Sequence, residues 1–234
     1  MKQILLFVIL TVFTVGWATA EERTEKRNTN PFSEVSLRVS ADLFIEQGDE
    51  YSVQITAKEE TLQKIIVEVN DDKLIIRFSW EDILFKDFHP GHMEIHVVTK
   101  NIYGLSVQGS GNIYATKPIE THTLELNIAG SGDIKLTSVN CDKIDASVAG
   151  SGDIVFDGES KGREIEINIA GSGDVKAADF KAEAAYVKIA GSGDCEVNSS
   201  DFIDISIYGS GDVRYIGEPN VKSKVAGSGR IYQK

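Results

Sequence analysis

The chain has 234 residues, 41% of them hydrophobic, with four prolines, two cysteines and a net charge of −12. That length carries one sizeable core or two small ones. The acidity repels phosphate backbones and anionic headgroups, which speaks against nucleic acid as a partner, and two cysteines are too few for a disulfide framework.

The first twenty residues read as a secretory signal. Lys2 is a short positive region, Ile4 to Trp17 an apolar run, and Ala18-Thr19-Ala20 a small-x-small cleavage site. The apolar run is short for a membrane crossing, so no span is expected after cleavage near Glu21. Removing residues 1–20 takes one lysine and leaves 23 basic against 36 acidic residues, a net −13. Residues 21–30 are charged and polar, and their composition predicts a disordered linker.

Residues 31–234 read as one β-rich domain, irregular over 31–104 and repetitive over 105–234. In the first part, alternation predicts strands at Phe32 to Val39, Leu43 to Ile45, Tyr51 to Ile55, Ile66 to Val69 and Leu74 to Phe78. Polar turns at Gln47 to Glu50 and Asn70 to Lys73 separate them, and Glu59 to Lys64 suits one helical turn. The stretch Trp80 to Phe88 is aromatic. It suits a cap over an open solenoid end, or a ligand patch built from Trp80, Leu84, Phe85 and Phe88. His92, Glu94 and His96 alternate with Met93 and Ile95, so they fall on one strand face. Three such groups suit zinc, and a solvated strand face is the plain alternative.

From residue 105 a Gly-Ser-Gly triplet recurs: Gly109-Ser110-Gly111, Gly130-Ser131-Gly132, Gly150-Ser151-Gly152, Gly171-Ser172-Gly173, Gly191-Ser192-Gly193, Gly209-Ser210-Gly211 and Gly227-Ser228-Gly229. The spacings are 21, 20, 21, 20, 18 and 18 residues. An alternating segment precedes each triplet, as in Leu124-Glu-Leu126-Asn-Ile128, and another follows it. Hairpins and a wound coil both give alternation. Only one turn per period is glycine-coded, however, while the opposite connection is looser and varies in length. That asymmetry predicts an all-β, parallel β-helix of about 20 residues per coil, with the triplet as a corner.

Two columns follow. Val107, Ile128, Val148, Ile169, Ile189, Ile207 and Val225 precede the triplets by two; Ile113, Ile134, Ile154, Val175, Cys195, Val213 and Ile231 follow them by two. Cys195 then fills an aliphatic slot, and Cys141 lies coils away from it, too far for a disulfide. The residue just after each triplet runs Asn112, Asp133, Asp153, Asp174, Asp194, Asp212, Arg230. A cation ladder is one reading of this column; carboxylates accepting from their own turn's amides is the other. The triplet serines are expected to hydrogen-bond around the turns. No nucleophile and base assemble in the pattern, so no catalytic residue and no cofactor are assigned.

The order Phe32-Ser-Glu-Val35, Leu43-Phe-Ile45-Glu-Gln47-Gly48-Asp49-Glu50, Asp72-Lys-Leu74-Ile-Ile76, then Leu105-Ser-Val-Gln-Gly109-Ser110-Gly111-Asn112 resembles the head GIN domain family, whose members are called autotransporter adhesins. The resemblance covers nearly the whole chain after the signal. It implies a right-handed β-helix with the triplets at turns between two sheets, export in a Gram-negative bacterium to the periplasm or outer surface, and adhesion. The expected role is therefore a non-enzymatic scaffold recognising a glycan or surface protein. A binder of a small apolar or lipid ligand at Trp80 to Phe88 is the alternative, and a degenerate polysaccharide-acting enzyme the second.

Overall fold

The computed structural model describes residues 22–79, 81 and 88–234. The signal reading of residues 1–20 therefore lies outside the described residues, as do Trp80, Leu84 and Phe85.

The repeat half winds as the triplet spacing predicts. Its first coil consists of β8 (Gly104–Gly109) and β9 (Asn112–Ala115). Each later coil lays its strands parallel on the one before. Along one sheet run β8, β11 (Thr123–Gly130), β14 (Lys143–Gly150), β17 (Glu164–Gly171) and the second halves of β18 (Val175–Gly191) and β19 (Cys195–Gly209), then β21 (Asn220–Gly227). Past the glycine corner a second sheet stacks β9, β12 (Ile134–Leu136), β15 (Ile154–Phe156), the starts of β18 and β19, β20 (Val213–Ile216) and β22 (Ile231–Gln233). A short third side completes the coil. There β10 (Ile119–Glu120), β13 (Val139–Asn140) and β16 (Ser160–Lys161) pair in parallel and continue onto Phe180–Lys181 of β18. The looser connection is thus itself partly a strand, and the coil has three sides.

Register places every member of each predicted column opposite its neighbours. Ile128 faces Val107 and Val148, and Cys195 faces Val175 and Val213. Up to Ile207 and Val213 these side chains point inward and form the core, with β-branched residues stacked on β-branched residues as parallel strands favour; in the last coil, which no further coil covers, Val225 is exposed and Ile231 only partly buried. Cys195 is 1% exposed; no disulfide joins it to Cys141, which sits half-buried after β13.

The N-terminal end is not threaded in chain order. The rung β2 (Glu34–Leu37) and β3 (Asp42–Gln47) lies between β8–β9 on one side and β6 (Lys73–Arg77) with β7 (Glu94–Thr99) on the other. Leu37 pairs with both Ile76 and Val107, and Leu43 with both Ile95 and Ile113. The chain therefore makes an inner rung first, steps outward, and returns beneath it.

Antiparallel strands finish this end. β4 (Ser52–Lys58) pairs with β7, β5 (Ile66–Asn70) pairs with β6, and α1 (Glu59–Lys64) is the expected helical turn. Asp71 and Asp72, at φ 49° and 66°, form the tight β5–β6 turn, since both central positions of a primed hairpin turn need positive φ.

The disordered linker expected over residues 21–30 is a correction. Glu22–Arg27 is a strand, β1, antiparallel to β4. Its polarity suits an exposed sheet edge rather than disorder. Arg23 bonds Glu59 at 2.8 Å, and the Thr24 and Thr56 hydroxyls meet at 2.7 Å. At the other end β21 is exposed at all eight positions and carries Lys222 and Lys224, charges that blunt an edge.

Candidate functional site

The glycine corner comes first, because it sets every column beside it. Both glycines of a triplet stand against the coil before, and the first also needs an unusual backbone angle. Gly150 adopts φ 138°, and a Cβ there would lie 2.1 Å from the Gly130 carbonyl oxygen. Gly132 is held by proximity: a Cβ there would lie 1.8 Å from the Gly111 carbonyl oxygen of the previous coil. From the second triplet on, the serine donates its backbone N–H to a glycine carbonyl one coil back, as Ser131 does to Gly109 at 2.8 Å. Their hydroxyls, expected to bond around the turns, have no partner among the described residues and stand exposed. The backbone ladder already satisfies the corner, so the hydroxyl is not needed there.

The Asp column is a hydrogen-bond ladder between coils, a correction to the expectation of own-turn contacts. Asp153 N–H donates to Asp133 Oδ1 at 3.0 Å, Asp174 to Asp153 at 2.9 Å, and Asp194 and Asp212 continue it at 2.8 Å each. Its ends explain the exceptions. Asn112 needs a donor, and its Nδ2 reaches Asp42 Oδ1 at 2.9 Å; Arg230 closes the other end on Asp212 Oδ2 at 2.7 Å. Lys135 and Lys176 neutralise outward oxygens of Asp133 and Asp153, and the bond to Asp153 raises the Lys176 pKa. Among the described residues, no three His, Cys, Asp or Glu side chains converge where a metal would sit.

His92, Glu94 and His96 are not brought together, which corrects the zinc alternative. Glu94 Oε1 bonds His96 Nε2 at 2.6 Å, and the His96 ring stacks on Phe44, itself stacked on Tyr114. His92 precedes β7 and opens into another cleft with Ser40, Asp42 and Ser110, whereas His96 lines one with Phe44, Glu46 and Thr116. Ser110 and His92 thus share a cleft, but no hydrogen bond joins them. Of the aromatic patch only Phe88 is described. It packs edge-on against Phe78 at 5.0 Å, under the Lys64 ammonium at 4.1 Å.

Charge pairs elsewhere hold coils together. Hydrogen bonding from His122, with Arg163 beside it, holds the Asp142 carboxyl below its usual range, while Glu164 and Asp145 push Lys143 upward. Burial drives the Cys141 thiol up to about 12 and the Cys195 thiol higher still, so neither is a ready nucleophile.

What remains is the outward face of the long sheet. Three columns run along it: acidic residues Glu125, Asp145, Glu166 and Asp204; small polar residues Asn127, Ser147, Asn168 and Ser206; and Ala129, Ala149, Ala170 and Ala190. Tyr186 and Lys222 break the first column, Lys188 and Lys224 the second, and Tyr208 the third. Tyr186 and Tyr208 are 39% and 43% exposed. Two shallow depressions of about 190 and 340 Å³ share Asn168 and Lys188, one bordered by Tyr186 and the other floored by Ala170 and Ala190. The sequence pattern did not single these residues out, although a tyrosine interrupting an alanine column is visible once the repeats are aligned.

Comparison with known proteins places this geometry. The family model described as "Putative auto-transporter adhesin, head GIN domain" matches residues 31–219. A solved structure of a putative adhesin from Bacteroides fragilis is 22% identical with a TM-score of 0.86, over 92% of this chain and 97% of that one. A putative lipid binding protein from Parabacteroides distasonis is 27% identical with a TM-score of 0.77, over 92% and 98% of the two chains. A putative adhesin from Parabacteroides distasonis is 22% identical with a TM-score of 0.72 over the same shares. No curated protein matches in sequence. With the triplet corners, the parallel coils and a family match spanning most of its length, the chain belongs to the head GIN domain family.

Proposed function

We propose that this chain is an exported, non-enzymatic binding protein that adheres to a glycan or another surface protein through the outward face of its long parallel sheet. The observation that carries the reading is the pair Tyr186 and Tyr208, exposed on a flat face whose other positions are small or hydrogen-bonding. Across from Tyr186 lies Asp204, four residues before Tyr208, so the backbone positions of the two tyrosines lie about 14 Å apart at roughly 3.3 Å per residue and 4.8 Å per strand. Exposed aromatic rings flanked by amides, hydroxyls and carboxylates suit sugars, whose apolar faces pack on rings while their hydroxyls bond outward. The adhesin family supports the class, and the signal-like residues 1–20 support export to the periplasm or outer surface. A glycan array probed with the purified protein, beside a reducing-sugar release assay, tests both halves. Binding without release is expected; release of sugar would overturn the non-enzymatic reading.

A second reading, a small apolar or lipid ligand, draws on the alanine-floored depression and on the lipid-binding name of one similar structure. Mass spectrometry of lipid carried by purified protein tests it.

A further inference from the structure

Resting on that reading, we propose that the same face selects acidic glycans, holding the carboxylate of a uronic acid residue between Lys188 and Lys224 above Ser206, with the sugar ring against Tyr208. Register puts Lys188, Ser206 and Lys224 directly across from one another on β18, β19 and β21. The two lysines are therefore about 10 Å apart at roughly 4.8 Å per strand, with the serine hydroxyl midway. Side chains of that length converge readily on one anion between them.

The neighbouring charges single out these two cations. Asp204 is bonded by Lys222 at 2.6 Å, and Glu166 accepts from Asn168 and lies 3.6 Å from the Lys143 ammonium. The nearest carboxylates thus already have cations of their own. Neither Lys188 nor Lys224 has an acidic partner among the described residues; Lys224 meets only the Tyr208 ring, at 5.5 Å. In a chain of net −12, two unpaired lysines beside an exposed tyrosine form a small basic spot on an acidic face. That spot fits a localised anion attached to a sugar. It does not fit an anionic bilayer, which would also have to approach Glu125 and Asp145 along the same sheet.

The test is calorimetric titration with a glucuronate hexamer and with its methyl ester, which keeps the sugar faces and removes the charge. Wild type is expected to bind the acid at least tenfold more tightly than the ester, with the difference shrinking as salt is raised. Lys188→Gln with Lys224→Gln is expected to bring the affinity for the acid down to that for the ester; a circular dichroism melt checks that the variant folds. Equal wild-type affinity for acid and ester would overturn the proposal while leaving the adhesion reading standing. An unchanged double variant, or preferential capture by phosphatidylglycerol vesicles, would overturn it as well. Failure to bind any glycan or protein surface would overturn the adhesion reading itself.

Discussion

The backbone N–H of Asp153 is bound by the side chain of Asp133, 20 residues earlier in sequence and one coil away in space, and Asp153 passes the same bond on to Asp174. The column of carboxylates is thus a structural ladder. Asp153→Asn keeps the accepting oxygen and removes a charge from a repulsive row, at the cost of an exposed ion pair to Lys176 worth about 0–1 kcal/mol. Its urea midpoint is expected to stay close to wild type. Asp153→Ala strands the Asp174 amide and is expected to cost about 1–2 kcal/mol. Equal stability of the two variants would show that the ladder bears no load.

Glycines within one triplet type are expected to differ sharply. A Cβ on Gly132 would meet the Gly111 carbonyl at 1.8 Å, with backbone on both sides of the clash. Gly132→Ala is therefore expected to destabilise by about 3 kcal/mol or more. Gly109, by contrast, has nothing within 4 Å of its Cβ position and bears only the strain of φ 120°. Gly109→Ala is expected to cost about 1–3 kcal/mol. Thermal melts of both variants check the order.

Acid is expected to loosen the exposed ion pairs in a defined direction. Hydrogen bonding from Arg230 lowers the Asp212 pKa from 3.8, and hydrogen bonding from His122 does the same for Asp142. A carboxyl depressed in the fold contributes stability that is present above its unfolded pKa. That contribution disappears as pH falls below 3.8 and through the folded value. Urea midpoints at about pH 7 and about pH 2.5 for wild type and Arg230→Gln should differ at the first pH and converge at the second.

Cys195 tests the core column. It lies between Val175 and Val213, fully inside, and burial raises its thiol pKa. Native protein is expected to leave Cys195 unlabelled by a thiol reagent at mildly alkaline pH. Cys195→Val should cost less than about 1.5 kcal/mol, and Cys195→Ser about 1–3 kcal/mol because its hydroxyl enters an aliphatic slot.

The regular half was legible because one corner geometry forces the same residue types at a fixed interval: glycine where a Cβ would strike the coil below, β-branched residues where strands stack. The N-terminal half was legible as strands but not as an order. Nothing local in Glu34–Leu37 or Lys73–Arg77 encodes which rung lies inside the other, since both pairings match apolar to apolar. Glu22–Arg27 reads as a tail in sequence because composition alone does not separate a solvated edge strand from a disordered segment. The alternation at His92, Glu94 and His96 gave a shared face only while all three sat in one strand, and β7 begins at Glu94. The outward face was the least legible part, because Tyr186, Lys188 and Tyr208 satisfy no rule of the repeat.

The most direct test of the outward sheet face as the binding surface is a glycan and surface-protein array probed with wild type and with Tyr186→Ala/Tyr208→Ala. Both tyrosines are exposed, so the double variant is expected to melt close to wild type. The expected result is binding by wild type that falls at least tenfold in the double variant. Undiminished binding by a folded double variant would contradict it.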